Sequence, residues 1–305
     1  LNSTEAVTKR TSNQRTNKRN DLIQPFLKWA GGKRQLLPEI RKYIPKKYNI
    51  YFEPFIGAGA VLFDIQPQEA IINDANAELI NCYNAIKTDP EGVIRLAQEH
   101  QRENSEKYFY SLRSLDREAS FKELSSIKRA ARIIYLNKTC YNGLFRVNSQ
   151  GQFNVPYGNY QDPQVVDALV IRAVSRYLNE VRIDISQGDF EDAVSGATAG
   201  DFVYFDPPYD PLSDTSSFTG YNLINFDKPQ QEQLKKVCDE LTGRGCMVLL
   251  SNSDTLFIRD LYSDTTRYTI KPVVANRNIN SVSTGRGKIS ELLIYNNYNV
   301  EQIKE

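Results

Sequence analysis

The sequence predicts an α/β fold: a mostly parallel, doubly wound sheet of the Rossmann type, interrupted by a mainly helical insertion. Three observations predict it. Short apolar strand patterns alternate with helical ones. A glycine-bearing loop, FIGAGA, stands between a strand and a helix. One long helical stretch, from about 77 to 166, breaks that rhythm and separates two halves of the sheet. The chain has 305 residues, 40% hydrophobic and 25% charged, enough for one α/β domain carrying an insertion.

In chain order, residues 1–24 are polar, basic and poor in apolar side chains, which predicts a disordered arm, with order starting at Pro25. A strand is expected at Ile50–Glu53, a helix at Ala60–Ile65 and a second strand at Ala70–Asn73 ending on Asp74. Helices are expected from Ala77 to about Thr139, where Ile127, Ala130, Ala131, Ile134 and Tyr135 share a face. An acid-free loop, NKTCYNGLFRVNSQGQFNVPYGNY, follows. Strands resume at Val181–Ile185, Asp201–Asp206, Met247–Ser251 and Ile289–Tyr295. The helix at Gln230–Leu241 has Asp227 as N-cap, Pro229 in its first turn and Gly243 at its end. The expected division is 1–24 as arm, 25–76 plus 167–300 as catalytic domain, and 77–166 as helical insertion.

Composition excludes several classes of function. No run reaches the length of a membrane span. Cys82, Cys140, Cys238 and Cys246 have neither CxxC nor disulfide-framework spacing and read as reduced thiols. The lone histidine, His100, reads as a surface residue, which argues against zinc sites and histidine-based triads. Net charge is only +1, yet basic residues are segregated. Residues 1–50 carry twelve Lys/Arg and three acids, and 128–160 and 267–290 each carry five Lys/Arg and no acid. Such segments suit a polyanion, although solvated faces would look the same.

Two constellations carry chemistry. In EPFIGAGAV, Gly57 and Gly59 would admit a ligand close to the backbone, and Asp74 at the end of the next strand suits a ribose diol. Leu62 stands where a dinucleotide fingerprint has its third glycine, which favours a different adenosyl cofactor. The second is the strand FVYF running into Asp206-Pro207-Pro208-Tyr209. Proline forces extended geometry on the residue before it, so Asp206 and Pro207 are held stiffly. A carboxylate beside a carbonyl can accept both N–H groups of an exocyclic amine and free its lone pair for attack on a methyl donor. Tyr209 would stack on a base drawn out of its helix. This chemistry needs no histidine, metal or cysteine nucleophile.

At this point the sequence resembles the Dam-type (D12 class, group α) DNA adenine-N6 methyltransferases that act at GATC, including restriction-modification members. The resemblance runs from about Pro25 to Tyr298. It rests on FLKWAGGKRQLLPEI, YFEPFIGAGAV, INDANAELINCY, YNGLFRVNSQGQFNVPYGNY, DFVYFDPPYDPLSDTSSFTGY and SNSDT, in that order. It implies a Rossmann-like S-adenosylmethionine-dependent methyltransferase sheet with an inserted DNA-recognition domain. The cofactor would be S-adenosyl-L-methionine, leaving as S-adenosyl-L-homocysteine. Trp29, Lys33, Glu53, Phe55, Gly57, Gly59, Asp74 and Asp206 would line its pocket, with Asp189 and Phe190 beside its adenine ring. By themselves Trp29 reads as core and Lys33 as surface.

For recognition, the acid-free loop offers Lys138, Tyr141, Asn142, Arg146, Asn148 and Asn154 as donors to phosphates and base edges. The resemblance implies that Arg146 reads a guanine and that Tyr141 inserts beside the flipped adenine, with Asn142 in the same motif. Leu144 and Pro156 would face thymine methyls, and Lys28 and Tyr160 would read the other guanine. Many relatives have arginine where this chain has Asn159, which removes a phosphate contact. The stretch SDTSSFTGY is expected to form a flap over the flipped base. The implied partner is double-stranded DNA, met by a monomeric, cytoplasmic protein without membrane attachment; restriction-modification members act on the same site as a cognate endonuclease. The competing readings are an RNA or protein methyltransferase with the same pocket, against which Asp206 argues because glutamine-modifying relatives carry NPPY, and a catalytically silent DNA-binding relative.

Overall fold

The computed structural model describes residues 19–29, 33–211, 226–276 and 288–299. Seven described strands form one sheet: β1 (Tyr51–Glu53), β2 (Glu69–Asp74), β3 (Arg182–Gln187), β4 (Phe202–Phe205), β5 (Met247–Ser253), β6 (Thr269–Asn276) and β7 (Lys288–Tyr295). Their order is β3-β2-β1-β4-β5-β7-β6. The first five run parallel, and β7 lies antiparallel between β5 and β6. Central strands β1 and β4 are buried at every residue, as parallel strands covered on both faces must be. β1 pairs with β2 on one side and β4 on the other, so the chain changes direction between β1 and β4. Ligands of open α/β sheets bind in the crevice that such a reversal opens at the carboxyl ends of the strands. Glu53 ends β1 and Asp206 follows β4 at that crevice.

The described helices are α1 (Leu37–Arg41), α2 (Ala60–Ile65), α3 (Ala77–Thr88), α4 (Pro90–Arg102), α5 (Glu106–Ser114), α6 (Ser126–Thr139), α7 (Ala168–Glu180), α8 (Phe190–Val194), α9 (Lys228–Gly243) and α10 (Leu256–Leu261). Local sequence sets their starts. Side-chain oxygens of Asn76, Asp89, Ser105, Ser125, Asp167 and Thr255 accept first-turn N–H groups, and Asp227 forms a reciprocal capping box with Gln230. Between β2 and β3 the chain runs through α3 to α6, a short hairpin and α7. This stretch shares one apolar core with the sheet: Leu79, Ile86, Ala130 and Phe153 cluster with Tyr51 and Ile72. α6 is its central rod, buried from Ala130 through Asn137 and not on one face alone.

Three expectations change. The packed chain begins before Pro25: Ile23 is buried, Arg19 donates to Asp64 at 2.6 Å, and Asn20 and Gln66 bond each other. Buried Asp64 gathers Arg41 as well, and this pairing holds residues that look free by composition. Strand β6 was not expected, because Lys271 and Pro272 interrupt its apolar alternation; its ladder with β7 fixes it. β7, expected as a strand, is the antiparallel member of a sheet that is otherwise mostly parallel, as predicted. His100 is half-buried, not a surface residue: its Nδ1 lies 2.7 Å from the Tyr108 hydroxyl and its ring packs on Tyr135. Burial lowers its pKa. The flap at 213–221, Arg277, Arg286 and most of the arm lie outside the described residues.

Candidate active site

The Asp206-Pro207-Pro208-Tyr209 loop leaves β4 at the crevice and meets Lys33 there. The Lys33 ammonium lies 2.8 Å from Asp206 Oδ1 and 4.6 Å from the centre of the Tyr209 ring. Lys33 is 4% exposed, so the residue that reads as surface in isolation is buried against the loop. Ser251, on β5, donates to the same Asp206 Oδ1 at 3.0 Å, and its Oγ sits 3.0 Å from the Tyr204 hydroxyl. Both bonds converge on one carboxylate oxygen, Oδ1. Burial pushes the Asp206 carboxyl up, while Lys33 and Ser251 oppose it. For Lys33, burial would lower the pKa, but Asp206, Tyr204 and Glu291 outweigh it and the net direction is up, which keeps the ammonium charged. Tyr209 donates to Glu291 Oε2 at 2.9 Å, which fixes its ring.

Beside this loop stands the β1 turn. Gly57 and Gly59 have positive φ, 49° and 72°, where other residues are strained. A methyl group at Gly57 would meet the Trp29 indole at 2.9 Å, and one at Gly59 would meet the Tyr83 hydroxyl at 2.7 Å. The glycines therefore seat Trp29 and Tyr83 on the turn. The Gly57 N–H donates to Asp74 Oδ2 at 3.1 Å and the Asn76 N–H to Oδ1 at 2.9 Å. Burial pushes the Asp74 carboxyl up to about 6 against these two bonds. Glu53 is buried beneath, accepts from the Tyr51 hydroxyl at 2.8 Å, and is pushed well up by burial. Phe55 stacks on Phe190 at 5.3 Å, with Phe226 edge-on. Asp189 caps α8 by accepting from the Glu191 N–H.

The acid-free loop forms a 3-10 turn at Tyr141–Gly143 and a bridged hairpin, Val147 opposite Phe153. Tyr141 is 45% exposed, the Tyr141 N–H donates to the Pro156 carbonyl at 2.9 Å, and exposed Asn142 takes φ 56°. Leu144 is half-buried and Pro156 exposed. Arg146 Nε donates to Asn154 Oδ1 at 2.7 Å. The Lys28 ammonium lies 5.5 Å from the Tyr160 ring centre, and its stem packs on Gly143. Asn159 has φ 54°, a region asparagine tolerates better than arginine. Trp29 stacks on Phe145 at 4.8 Å, so one indole touches both the β1 turn and the hairpin.

Sequence reasoning missed several residues that brace these groups. Asn137 is fully buried: its Oδ1 accepts from the Lys28 N–H, and its Nδ2 donates to the Lys28 and Gly143 carbonyls. Asp116 accepts from the Phe153 N–H, while Arg117 and Arg113 donate to the Phe153 and Val155 carbonyls. Only Asn137 had a signal, its place as the first residue of the acid-free stretch. The others act across a sequence distance that local patterns do not reveal.

Residues 29–279 match the model of the D12 class N6 adenine-specific DNA methyltransferases. Over 274 residues the chain is 50% identical to the type II methyltransferase M1.LlaDCHI of Lactococcus lactis subsp. cremoris, covering 90% of this chain and 95% of that one. It is 42% identical to the type II methyltransferase M.MjaIII of Methanocaldococcus jannaschii, over 90% of this chain and 99% of that one. Identity to the DNA adenine methylase of Escherichia coli K12 is 35%, over 88% and 93%. Among the described residues no helix is long and apolar enough to cross a membrane.

Proposed function

The chain belongs to the D12 class of N6-adenine-specific DNA methyltransferases, and from that premise we propose that it methylates adenine in double-stranded GATC with S-adenosyl-L-methionine as donor. The observation that carries the site assignment is the convergence of Lys33 and Ser251 on a single oxygen of Asp206. Oδ2 and the neighbouring Pro207 carbonyl would be the acceptor pair for the two N–H groups of a flipped adenine. Tyr209, held by Glu291, supplies the stacking surface. Bound S-adenosylmethionine supplies an electrophilic methyl group on a sulfonium. Asp74, at the end of β2, would accept from its ribose hydroxyls, and Trp29, Lys33, Glu53, Gly57 and Gly59 would line the rest of its pocket. Phe55, Phe190 and Asp189 would bound its adenine. The donor set fits such a group: a carboxylate on the backbone N–H of a glycine turn, beside a paired aromatic wall.

Residues 77–166 would read DNA, and 25–76 with 167–300 would perform transfer. Lys28, Tyr141, Asn142, Leu144, Arg146, Pro156 and Tyr160 form the reading set, with Arg146 taking a guanine through O6 and N7. Incubation with labelled S-adenosylmethionine and duplexes carrying GATC or a scrambled site tests the whole reading. N6-methyladenine is expected in the GATC duplex alone; equal labelling of both would remove the site preference.

Asp74 makes cofactor binding pH-dependent. It accepts ribose hydroxyls best as a carboxylate, and its ionisation lies near 6 in the folded chain. Affinity should therefore weaken as pH falls through about 6, followed by calorimetric titration of S-adenosylhomocysteine between pH 5 and 8. The stability effect has the opposite sign. Unfolded Asp ionises near 3.9, so the folded state holds the proton more tightly. Asp74 then favours folding most below pH 4 and loses that contribution as pH rises through 6. An affinity that stays flat across this range would take Asp74 out of the ribose site.

A further inference from the structure

We infer that the segment SNSDT, with Gln231 of α9, is a positioning frame for the Asp206–Tyr209 loop, a role that rests on the reading of that loop as the amine acceptor. SNSDT spans the end of β5 and the turn into α10, and its side chains reach back to the loop at almost every residue. The Ser251 hydroxyl donates to Asp206 Oδ1. Asn252 Oδ1 accepts from the Asp210 N–H at 3.2 Å, and its Nδ2 donates to Gln231 Oε1 at 2.9 Å. Gln231 Nε2 in turn donates to the Pro208 carbonyl at 2.9 Å. The Ser253 hydroxyl donates to the Asp210 carbonyl at 2.6 Å, and the Thr255 hydroxyl to Asp210 Oδ2 at 2.7 Å.

Two amides thus form a closed relay from the Asp210 N–H to the Pro208 carbonyl. Asn252 is fully buried and Gln231 is 1% exposed, where an unmade amide bond is costly, so each fixes the other's orientation. The relay takes the carbonyl of Pro208 and leaves that of Pro207. The frame therefore holds the Pro208 carbonyl, and the Tyr209–Asp210 backbone that follows it, in one orientation. Proline stiffness alone does not do this: Pro208 restricts Pro207 before it, but Tyr209 follows Pro208 and leaves the peptide plane after Pro208 free to turn.

The test is a kinetic cycle on the full-length protein with Gln231→Met and Asn252→Leu, singly and together, and with Gln231→Glu. Gln231→Glu keeps shape and volume but replaces the donor to Pro208 with an acceptor. Each single change should lower kcat roughly 10- to 100-fold, the scale of small misplacements at a reacting centre. KM for DNA and for S-adenosylmethionine should stay within about threefold, and the double variant should match either single one because the relay is one unit. Gln231→Glu should lose as much kcat as Gln231→Met. Near-normal kcat in Gln231→Glu would overturn the inference. So would additive losses in which kcat, both KM values and Tm all deteriorate together, since that pattern belongs to core packing. Wild-type protein in the same assay separates this from the underlying reading: if it transfers no methyl group to adenine in any duplex, the acceptor-loop assignment itself falls.

Discussion

Asp206→Ala should lower kcat about a hundred- to a thousandfold while DNA affinity stays near wild type. The substitution removes the acceptor that would turn the adenine amine into a nucleophile, and deletion of a single polar group aimed at a reacting centre costs about 10²–10³ in kcat. It also removes the carboxylate that Lys33 pairs with at 2.8 Å. Breaking a buried pair costs about 3–5 kcal/mol, and since about a fifth of the Asp206 side chain stays exposed, the lower end applies. Thermal unfolding should therefore shift downward as kcat falls. The two effects separate in Lys33→Met/Asp206→Ala, which should regain much of the stability and none of the activity. Asp206→Asn retains a carbonyl oxygen but not its charge and should fall between. An Asp206→Ala enzyme within tenfold of wild-type kcat, measured by tritium transfer from S-adenosylmethionine, would refute the acceptor role.

The residues that were legible in the sequence are those whose chemistry is set locally. Pro207 and Pro208 restrict their own neighbours, so the rigid loop could be read from four letters. Asp74 could be read because a carboxylate at the end of the second strand has a fixed place in this topology. Helix α2 runs from Ala60 to Ile65 as expected, because a left-handed glycine at 59 starts it and a left-handed Gln66 stops it. Lys33 was not legible from its own surroundings. Its burial depends on Asp206 and Tyr209, which arrive from the far half of the sheet, and only the KWAGGK resemblance pointed to it. The same holds for Gln231, which reads as one polar residue of an amphipathic helix until Asn252 and Pro208 are folded against it. β6 was missed for a related reason: its place at the sheet edge is fixed by pairing with β7, and neither Lys271 nor Pro272 signals a strand.

Arg146→Ala should cost base discrimination more than catalysis. A bidentate arginine on guanine contributes about 1–3 kcal/mol of preference over other bases, so the ratio of kcat/KM for GATC over a site with that guanine replaced should drop roughly 5- to 150-fold. The hairpin makes this a directional contact rather than a loose charge. Of the five guanidinium donors, Nε and one Nη2 hydrogen go to Asn154, which leaves an edge of the fork to face a base. The Asn154 N–H bonds back to the Arg146 carbonyl at 3.0 Å, and Asp116 and Arg117 hold the adjacent Phe153 backbone. Asn154→Ala keeps the charge and releases the fork, so it should reduce discrimination in the same direction by a smaller factor. A phosphate contact behaves differently: its loss weakens every sequence alike and lowers the salt dependence of binding. If Arg146→Ala reduces all sites equally and flattens the salt slope, the guanidinium belongs to the backbone, and guanine reading must pass to Lys28 beside Tyr160.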